Sequence, residues 1–153
     1  MLIQAVATAA PHRYEQDALI AALLAQWTVQ HPNTRRVEQL HRAVRVGGRN
    51  LALPMDAYPT LTFGTANDAF IRVGTDIGAA AVSRAPEQTG LHPRDVDAIR
   101  FTTVTGVAAP SIDARLCNRL GFRTDIKRAP TFGLGCVAGV AGIICTELVP
   151  LGW

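Results

Sequence analysis

The chain has 153 residues, of which 48% are hydrophobic and 18% are charged, and its formal net charge is +3. This balance indicates a folded domain with a sizeable core and excludes an intrinsically disordered protein. The basic residues are scattered, which argues against a nucleic-acid-binding protein but leaves room for a smaller anion. Three widely spaced cysteines predict neither a disulfide framework nor a zinc site, and we expect no metal.

The N-terminal stretch Leu2–Ala7 predicts a first strand that ends before Pro11. Asp17 is placed to cap a helix whose apolar residues recur at helical spacing: Ile20, Leu23, Leu24 and Trp27. That helix ends at His31-Pro32-Asn33. A second helix follows, with one side formed by Val37, Leu40, His41 and Val44.

Gly47-Gly48 ends the second helix, and Arg49–Tyr58 is predicted to be extended because prolines oppose helix there. A long helix starts at Thr65 or Asn67 and ends between Pro86 and Gly90, with apolar spacing at Phe70, Val73, Ile77 and Ala81.

The second half of the chain predicts a strand, a helix and another strand. The strand Ala98–Thr103 is followed by a helix that Ser111 can cap and Gly121 can stop. A last strand covers Ile126–Phe132. Strands that alternate with helices favour an α/β fold with a mainly parallel sheet covered by helices.

Cys136 follows this last strand and a glycine, and small and apolar residues come after it. The pattern predicts a strand, a tight turn and the first turn of a buried helix, with Cys136 at the junction. Unpaired backbone N–H groups at a helix N-terminus favour a thiolate there. An ordinary buried cysteine beside a glycine-rich turn is the alternative, because free cysteine is among the most buried residue types.

No segment has the features of a signal peptide or a membrane span. Leu2–Ala7 is too short and polar for a signal peptide. The strongly apolar part of the C-terminal region, Val137–Cys145, is well short of the ~20 residues that span a bilayer. We therefore expect a cytoplasmic protein. The apolar C-terminal segment is more simply explained as a helix of the protein core, because such a helix is apolar on every side.

Several ordered motifs together resemble the type III polyketide synthases, the chalcone and stilbene synthase family. They are the stretch Phe101–Asp113, then Lys127-Arg128, then Gly-Cys-x-Ala-Gly around Cys136. Ala10–Gln16, Arg49–Met55 and Tyr58-Pro59 are similar to the bacterial members.

The resemblance implies the N-terminal half of a thiolase-like fold, in which two similar halves stack face to face. Residues 1–145 would form this half-domain, and residues 146–153 would form an atypical tail. We expect the chain to be truncated before the second half, which would leave a large apolar patch exposed around the Cys136 helix.

The resemblance also implies a chemistry. In the family, the cysteine takes an acyl group from acyl-CoA, and decarboxylative condensation with malonyl-CoA extends it, so the CoA thioesters are substrates and no cofactor is needed. The histidine and asparagine that promote condensation come from the second half, so whether this chain is an enzyme by itself is left open. We expect little or no condensation from it alone.

Cys136 is the catalytic residue that the resemblance implies. Val104 and Thr105 match the stretch that lines the acyl cavity, and Ala109 matches a loop residue that crosses the family's dimer interface. Thr105 is equally compatible with a hydroxyl bonded to nearby backbone. Arg42 and Arg45 are weak candidates for CoA phosphate binding, with a solvated helix face as the alternative.

Partners and alternatives follow from the same resemblance. We expect a homodimer or an association with a complementary half, with no nucleic acid and no membrane. Two other functions stay open: a non-catalytic remnant that pairs with a full-length synthase, and a fragment of a ketoacyl synthase, which shares the fold and the cysteine.

Overall fold

The computed structural model describes residues 2–27 and 33–148. In this part the strands are Arg13–Glu15 (β1), Gly48–Asn50 (β2), Ala98–Thr103 (β3) and Lys127–Phe132 (β4). The α-helices are Gln16–Trp27 (α1), Thr34–Ala43 (α2), Phe63–Thr89 (α3), Ile112–Leu120 (α4) and Ala138–Leu148 (α5). The chain divides into two compact units, one of residues 10–69 and one that joins the segment up to Ala9 with Phe70 onward.

In the unit of residues 10–69, β1 pairs antiparallel with β2, and Tyr14 lies opposite Arg49. The helices α1 and α2 pack on each other. Asn33 caps α2, because its side-chain oxygen accepts a 3.0 Å hydrogen bond from the backbone N–H of Arg36. Ile20 of α1 is buried, as its helical spacing predicts.

In the other unit, β3 and β4 are parallel, from Ala98 opposite Lys127 to Thr103 opposite Phe132. Burial centres on Ala79, Ile112 and Leu116, where α3 meets α4. Half-buried side chains complete this core: Phe70, Ile71, Ile99, Phe101, Ala108 and Leu120. A parallel strand pair with helices packed on it is the α/β arrangement that the sequence predicts.

The later elements agree closely with the sequence prediction. The observed β3 has the predicted bounds, and β4 differs by one residue. Gly121 ends α4 with φ of 69°, a left-handed conformation that glycine adopts at little cost. Ser111 occupies the N-cap position of α4, but its side chain makes no capping hydrogen bond.

The prediction of a strand at Leu2–Ala7 is wrong. This segment has no strand assignment, and side chains of α3 bond to backbone carbonyls in and beside it. Gln88 donates to the carbonyl of Val6, and Arg84 donates to that of Thr8. The sequence pattern predicted an extended segment without showing what would pair with it.

Helix boundaries also differ. The helix α3 starts at Phe63, earlier than predicted, and its end at Thr89 lies within the predicted range from Pro86 to Gly90. The segment predicted to be extended contains β2 and then a 3₁₀ turn at Met55–Thr60. The helix α5 reaches Leu148, three residues beyond the predicted end of the half-domain at residue 145. Residues 149–153 and the predicted helix end at His31-Pro32 lie outside the described residues.

Candidate active site

A strand, a turn and a helix place Cys136. The strand β4 ends at Phe132, and Gly133 and Gly135 follow with φ of 92° and 57°. Only glycine adopts such angles without strain, so these two positions allow the chain to turn sharply. Cys136 lies in the 3₁₀ turn Gly135–Val137, directly before α5, and it is exposed.

The same edge of the sheet carries the segment after β3. The backbone N–H of Gly133 donates a 3.1 Å hydrogen bond to the carbonyl of Thr103, which extends the strand pairing by one residue. Because β3 and β4 are parallel, Val104 and Thr105 leave the sheet at the edge where the turn to Cys136 begins. Val104 is half exposed, and the N–H of Thr105 donates to the Thr103 hydroxyl oxygen at 3.1 Å.

The helix α5 has two apolar faces. One packs toward β3 and includes Ala138, which is buried. The opposite face carries Val140, Ile143 and Ile144, which are 59%, 46% and 50% exposed, and Val137 in the preceding 3₁₀ turn is 57% exposed. Helical periodicity puts Cys136 on the same side as Val140 and Ile143. We call Cys136 and these four residues the α5 face; the prediction of a fully buried helix is therefore wrong for the described residues.

Two cavities flank the sheet. One, of about 430 Å³, lies between β3 and α5, and its lining includes Arg100, Thr102 and Gly142. Another, of about 280 Å³, lies on the α4 side and is lined in part by Thr103 and Phe132. Cys136 itself lines neither cavity.

The first cavity has a polar rim and an unsatisfied hydroxyl. Arg100 donates a 2.8 Å hydrogen bond to the carbonyl of Cys145, which ties β3 to the end of α5. The buried hydroxyl oxygen of Thr102 makes no hydrogen bond within the described structure. A buried hydroxyl without a hydrogen-bond partner is unfavourable, and this one belongs to a residue that lines the cavity.

Ala109 precedes Pro110 through a cis peptide bond in the loop between β3 and α4. It lines a third cavity, of about 660 Å³, together with Ser111, Arg123 and Arg128. Arg115 donates a 3.1 Å hydrogen bond to the carbonyl of Pro110, which holds this loop against α4. The small side chain of Ala109 leaves the cavity beside it open.

The two candidate CoA-binding arginines differ in their surroundings within the unit of residues 10–69. Arg42 forms ion pairs with Asp17 at 2.7 Å and with Glu38 at 3.0 Å. Hydrogen bonds to these carboxylates, chiefly to Asp17, raise the pKa of Arg42. The positive charge of Arg42 is therefore already paired with two carboxylates of the same unit. Arg45 follows α2 with φ of 53° and is exposed, so it is the freer of the two.

The match to known proteins decides the family. Residues 50–148 match the N-terminal domain of the chalcone and stilbene synthases. The chain belongs to the chalcone and stilbene synthase family. The match begins at the last residue of β2 and covers α3, β3, α4, β4 and α5, so it includes the whole Cys136 region.

Other family members are similar over most of the chain. A 1,3,6,8-tetrahydroxynaphthalene synthase of Streptomyces peucetius is 45% identical over 92% of the chain, which spans 38% of that relative. The crystal structure of the corresponding synthase of Streptomyces coelicolor has a TM-score of 0.83 at 26% identity, with coverage of 92% of this chain and 41% of that one.

A structure of CsyB complexed with CoA-SH has a TM-score of 0.82 at 25% identity, covering 94% of this chain and 39% of that one. The chain therefore has the architecture of the N-terminal part of the type III polyketide synthases, which is thiolase-like. It spans about two fifths of the length of the relatives that it matches.

The sequence analysis did not identify a buried cluster of polar side chains that joins α4 to β4. Asp113 in the first turn of α4 is fully buried, and its Oδ2 lies 3.4 Å from Nη1 of Arg128 in β4. Its Oδ1 is buried without a hydrogen-bond partner. Cys117, four residues later on α4, is also buried. The signal in the sequence was an aspartate between core residues Ile112 and Leu116.

Burial raises the pKa of the Cys117 thiol, more than the nearby Arg128 lowers it. Cys117 is therefore a buried thiol packed in the middle of α4. Cys145 is exposed near the end of α5. Of the three cysteines, Cys136 is the one that follows a strand and a positive-φ turn at the start of a helix.

Across residues 2–27 and 33–148, His, Cys, Asp and Glu side chains form no group of three that could hold a metal ion. No helix among these residues combines the length and apolarity of a membrane span.

Proposed function

We propose that the chain carries the acyl-accepting step of a type III polyketide synthase, with Cys136 as the nucleophile. The Cys136 thiolate attacks the thioester carbonyl carbon of an acyl-CoA, a carbon–sulfur bond to Cys136 forms, and the CoA thiolate leaves. The position of Cys136, exposed at the start of a helix after a turn with two positive-φ glycines, is the observation that carries this proposal.

Extension requires groups beyond this step. Decarboxylation of malonyl-CoA would generate an enolate that attacks the Cys136 thioester and releases the thiolate. The family resemblance assigns the histidine and asparagine for this step to the second half of the fold. We therefore propose that condensation needs the second half of the fold in addition to these residues, and that acyl-CoA and malonyl-CoA are the substrates, used in the cytoplasm without a cofactor.

Val104, Thr105 and Ala109 are proposed to shape the space for the acyl chain and the dimer contact. Val104 and Thr105 leave the sheet edge where the turn to Cys136 starts, which supports a place beside the acyl group. Arg45 is the better candidate for a CoA phosphate, since Arg42 is already paired with two carboxylates.

Intact-mass measurement after incubation with hexanoyl-CoA tests the acyl transfer. We expect one added hexanoyl group in the wild type and in Cys145→Ala, which removes an exposed thiol on the same helix. Cys136→Ala should acquire none. An unmodified wild type, or an adduct that persists in Cys136→Ala, would exclude Cys136 as the acyl acceptor.

A non-catalytic role is the second candidate, and the exposed α5 face favours it. In that case the chain pairs with a full-length synthase without ever accepting an acyl group. Binding to such a synthase without any hexanoyl adduct on Cys136 would support this function over the first. A ketoacyl synthase fragment is disfavoured by the match to the chalcone and stilbene synthases.

A further inference from the structure

Thr103, the last residue of β3, is bonded to both segments that the proposed acyl transfer uses. Its backbone carbonyl accepts a 3.1 Å hydrogen bond from the N–H of Gly133, in the turn that leads to Cys136. Its side-chain hydroxyl oxygen accepts another 3.1 Å hydrogen bond, from the N–H of Thr105. One residue therefore joins the turn before the proposed nucleophile to the segment that is proposed to line the acyl group.

The two bonds of Thr103 depend on the sequence in different ways. The bond from Gly133 continues the pairing of β3 with β4, so it ends on a backbone carbonyl that any residue at position 103 would supply. The bond from Thr105 needs the side chain, because a hydroxyl can accept from the N–H two residues later where the chain leaves a strand. Valine has nearly the same shape as threonine but no acceptor, so it would remove this second bond alone.

The cavity on the α4 side of the sheet borders the same two segments. Its lining includes Thr103, then Gly106 and Val107 from the segment after β3, and Phe132 from the end of β4. The segments that Thr103 joins thus form two walls of one space of about 280 Å³. The hydroxyl bond sets the direction in which the first wall leaves the sheet, relative to the second.

We propose that Thr103 is a positioning residue of the acyl-accepting site, and that its hydroxyl holds Val104 and Thr105 in place beside the acyl group on Cys136. This inference rests on the proposed acyl transfer to Cys136. Thr103 takes no part in the bond changes and acts through the segment that it holds. Loss of its hydroxyl should therefore slow acylation without changing the reactivity of the Cys136 thiol itself.

Two reactions of Cys136 are compared between the wild type and Thr103→Val. The second-order rate of acylation by hexanoyl-CoA, followed by intact mass, should fall about fivefold in the variant, as expected for the loss of one hydrogen bond. Alkylation of Cys136 by iodoacetamide, followed by peptide mapping, should keep its wild-type rate, because the backbone bond from Gly133 is retained. A general disturbance of the turn would instead slow or speed both reactions together.

Two further variants separate the hydroxyl from the rest of the side chain. Thr103→Ser keeps the hydroxyl and should restore acylation to near the wild-type rate. Thr102→Val is the matched control on the same strand, because it removes a hydroxyl that makes no hydrogen bond within the described structure. Both reactions should keep their wild-type rates in that control. If circular dichroism shows that Thr103→Val is misfolded, Thr103→Ala is compared with Thr103→Ser in the same way.

Amide hydrogen exchange, measured by NMR without any acyl-CoA, tests the hydrogen bond itself. In Thr103→Val the amide of Thr105 should exchange faster than in the wild type, while the amide of Gly133 stays protected. Equal exchange of the Thr105 amide in the two proteins would overturn the role assigned to the hydroxyl.

The acylation results distinguish this inference from the proposed function. Equal acylation of the wild type and Thr103→Val overturns the positioning role and leaves acyl transfer to Cys136 standing. The positioning role is also overturned if Thr103→Ser does not restore acylation, or if alkylation falls in parallel with acylation. A wild type that acquires no hexanoyl group on Cys136 overturns the acyl transfer, and the positioning role with it.

Discussion

The backbone N–H of Gly133 donates to the carbonyl of Thr103 at 3.1 Å, one residue beyond the last pair of β3 and β4. This bond joins the turn that leads to Cys136 to the strand that leads to Val104 and Thr105. The proposed nucleophile and the proposed acyl-lining segment therefore start from one fixed point of the backbone. The glycine at this point is needed because its φ is 92°.

Substituting the positive-φ glycines should destabilise the chain and misplace Cys136. In Gly135→Ala the residue must keep φ of 57° or move the turn, which costs roughly 1–2 kcal/mol. We expect a lower free energy of unfolding in urea and less acylation by hexanoyl-CoA. Gly139→Ala is the matched control within α5, because helix propensity should stabilise it by about 0.5–1 kcal/mol. Equal losses in both variants would contradict the turn as the cause.

Substitution of Arg128 should lower the free energy of unfolding more than substitution of its ion-pair partner Asp113. Arg128→Met leaves a fully buried carboxylate without its cation and should cost about 1–3 kcal/mol. Asp113→Asn removes the charge at similar shape and should cost less. The double variant should lose less than the sum of the two single variants, as measured by urea unfolding. Strictly additive losses would show that the two residues do not interact.

A side chain at Gly78 should crowd the contact of α3 with α4. A Cβ there would lie 3.3 Å from a methyl carbon of Leu116, which is itself buried in the core. Gly78→Val should therefore destabilise the chain by about 1–3 kcal/mol through overpacking, measured by thermal unfolding. Gly74→Ala, where the nearest atom is 3.8 Å away, should be neutral or stabilising. A stabilised Gly78→Val would disprove tight packing at this point.

Cys117 should be the least reactive thiol of the native chain. Because burial raises its pKa, less of it is thiolate at any pH below that pKa, and its alkylation should require higher pH than that of an exposed thiol. Mass mapping of iodoacetamide adducts between pH 7 and pH 9 measures this. In denaturant Cys117 should react like Cys145, and equal rates in the native chain would contradict the assigned burial.

The sequence predicted the elements from β3 onward better than those of residues 10–69. The strands β3 and β4 and the end of α4 at Gly121 were predicted from signals within a few consecutive residues, of which the clearest is the helix-ending glycine. The two short strands β1 and β2 were missed, because three-residue strands have too little pattern and form only when they meet. The strand predicted at Leu2–Ala7 is absent for a different reason, since an extended pattern does not specify a partner strand.

The features of the candidate site also differ in whether the sequence predicts them. Cys136 and the turn before it were predictable, because glycine positions and a following apolar helix are written in consecutive residues. The buried pair of Asp113 and Arg128 was not, since it joins residues of two elements, and neither was the pairing of Arg42 with Asp17. Charge patterns along a chain do not reveal which opposite charge lies nearby in space.

The order of α3, β3, α4, β4 and the cysteine turn was thus determined by the sequence itself, through periodicity and backbone preferences that act over a few residues. Tertiary structure decided which side of α5 is covered. Apolar residues all round that helix predicted burial, but burial depends on what packs against each side, and only the side toward β3 is covered among the described residues.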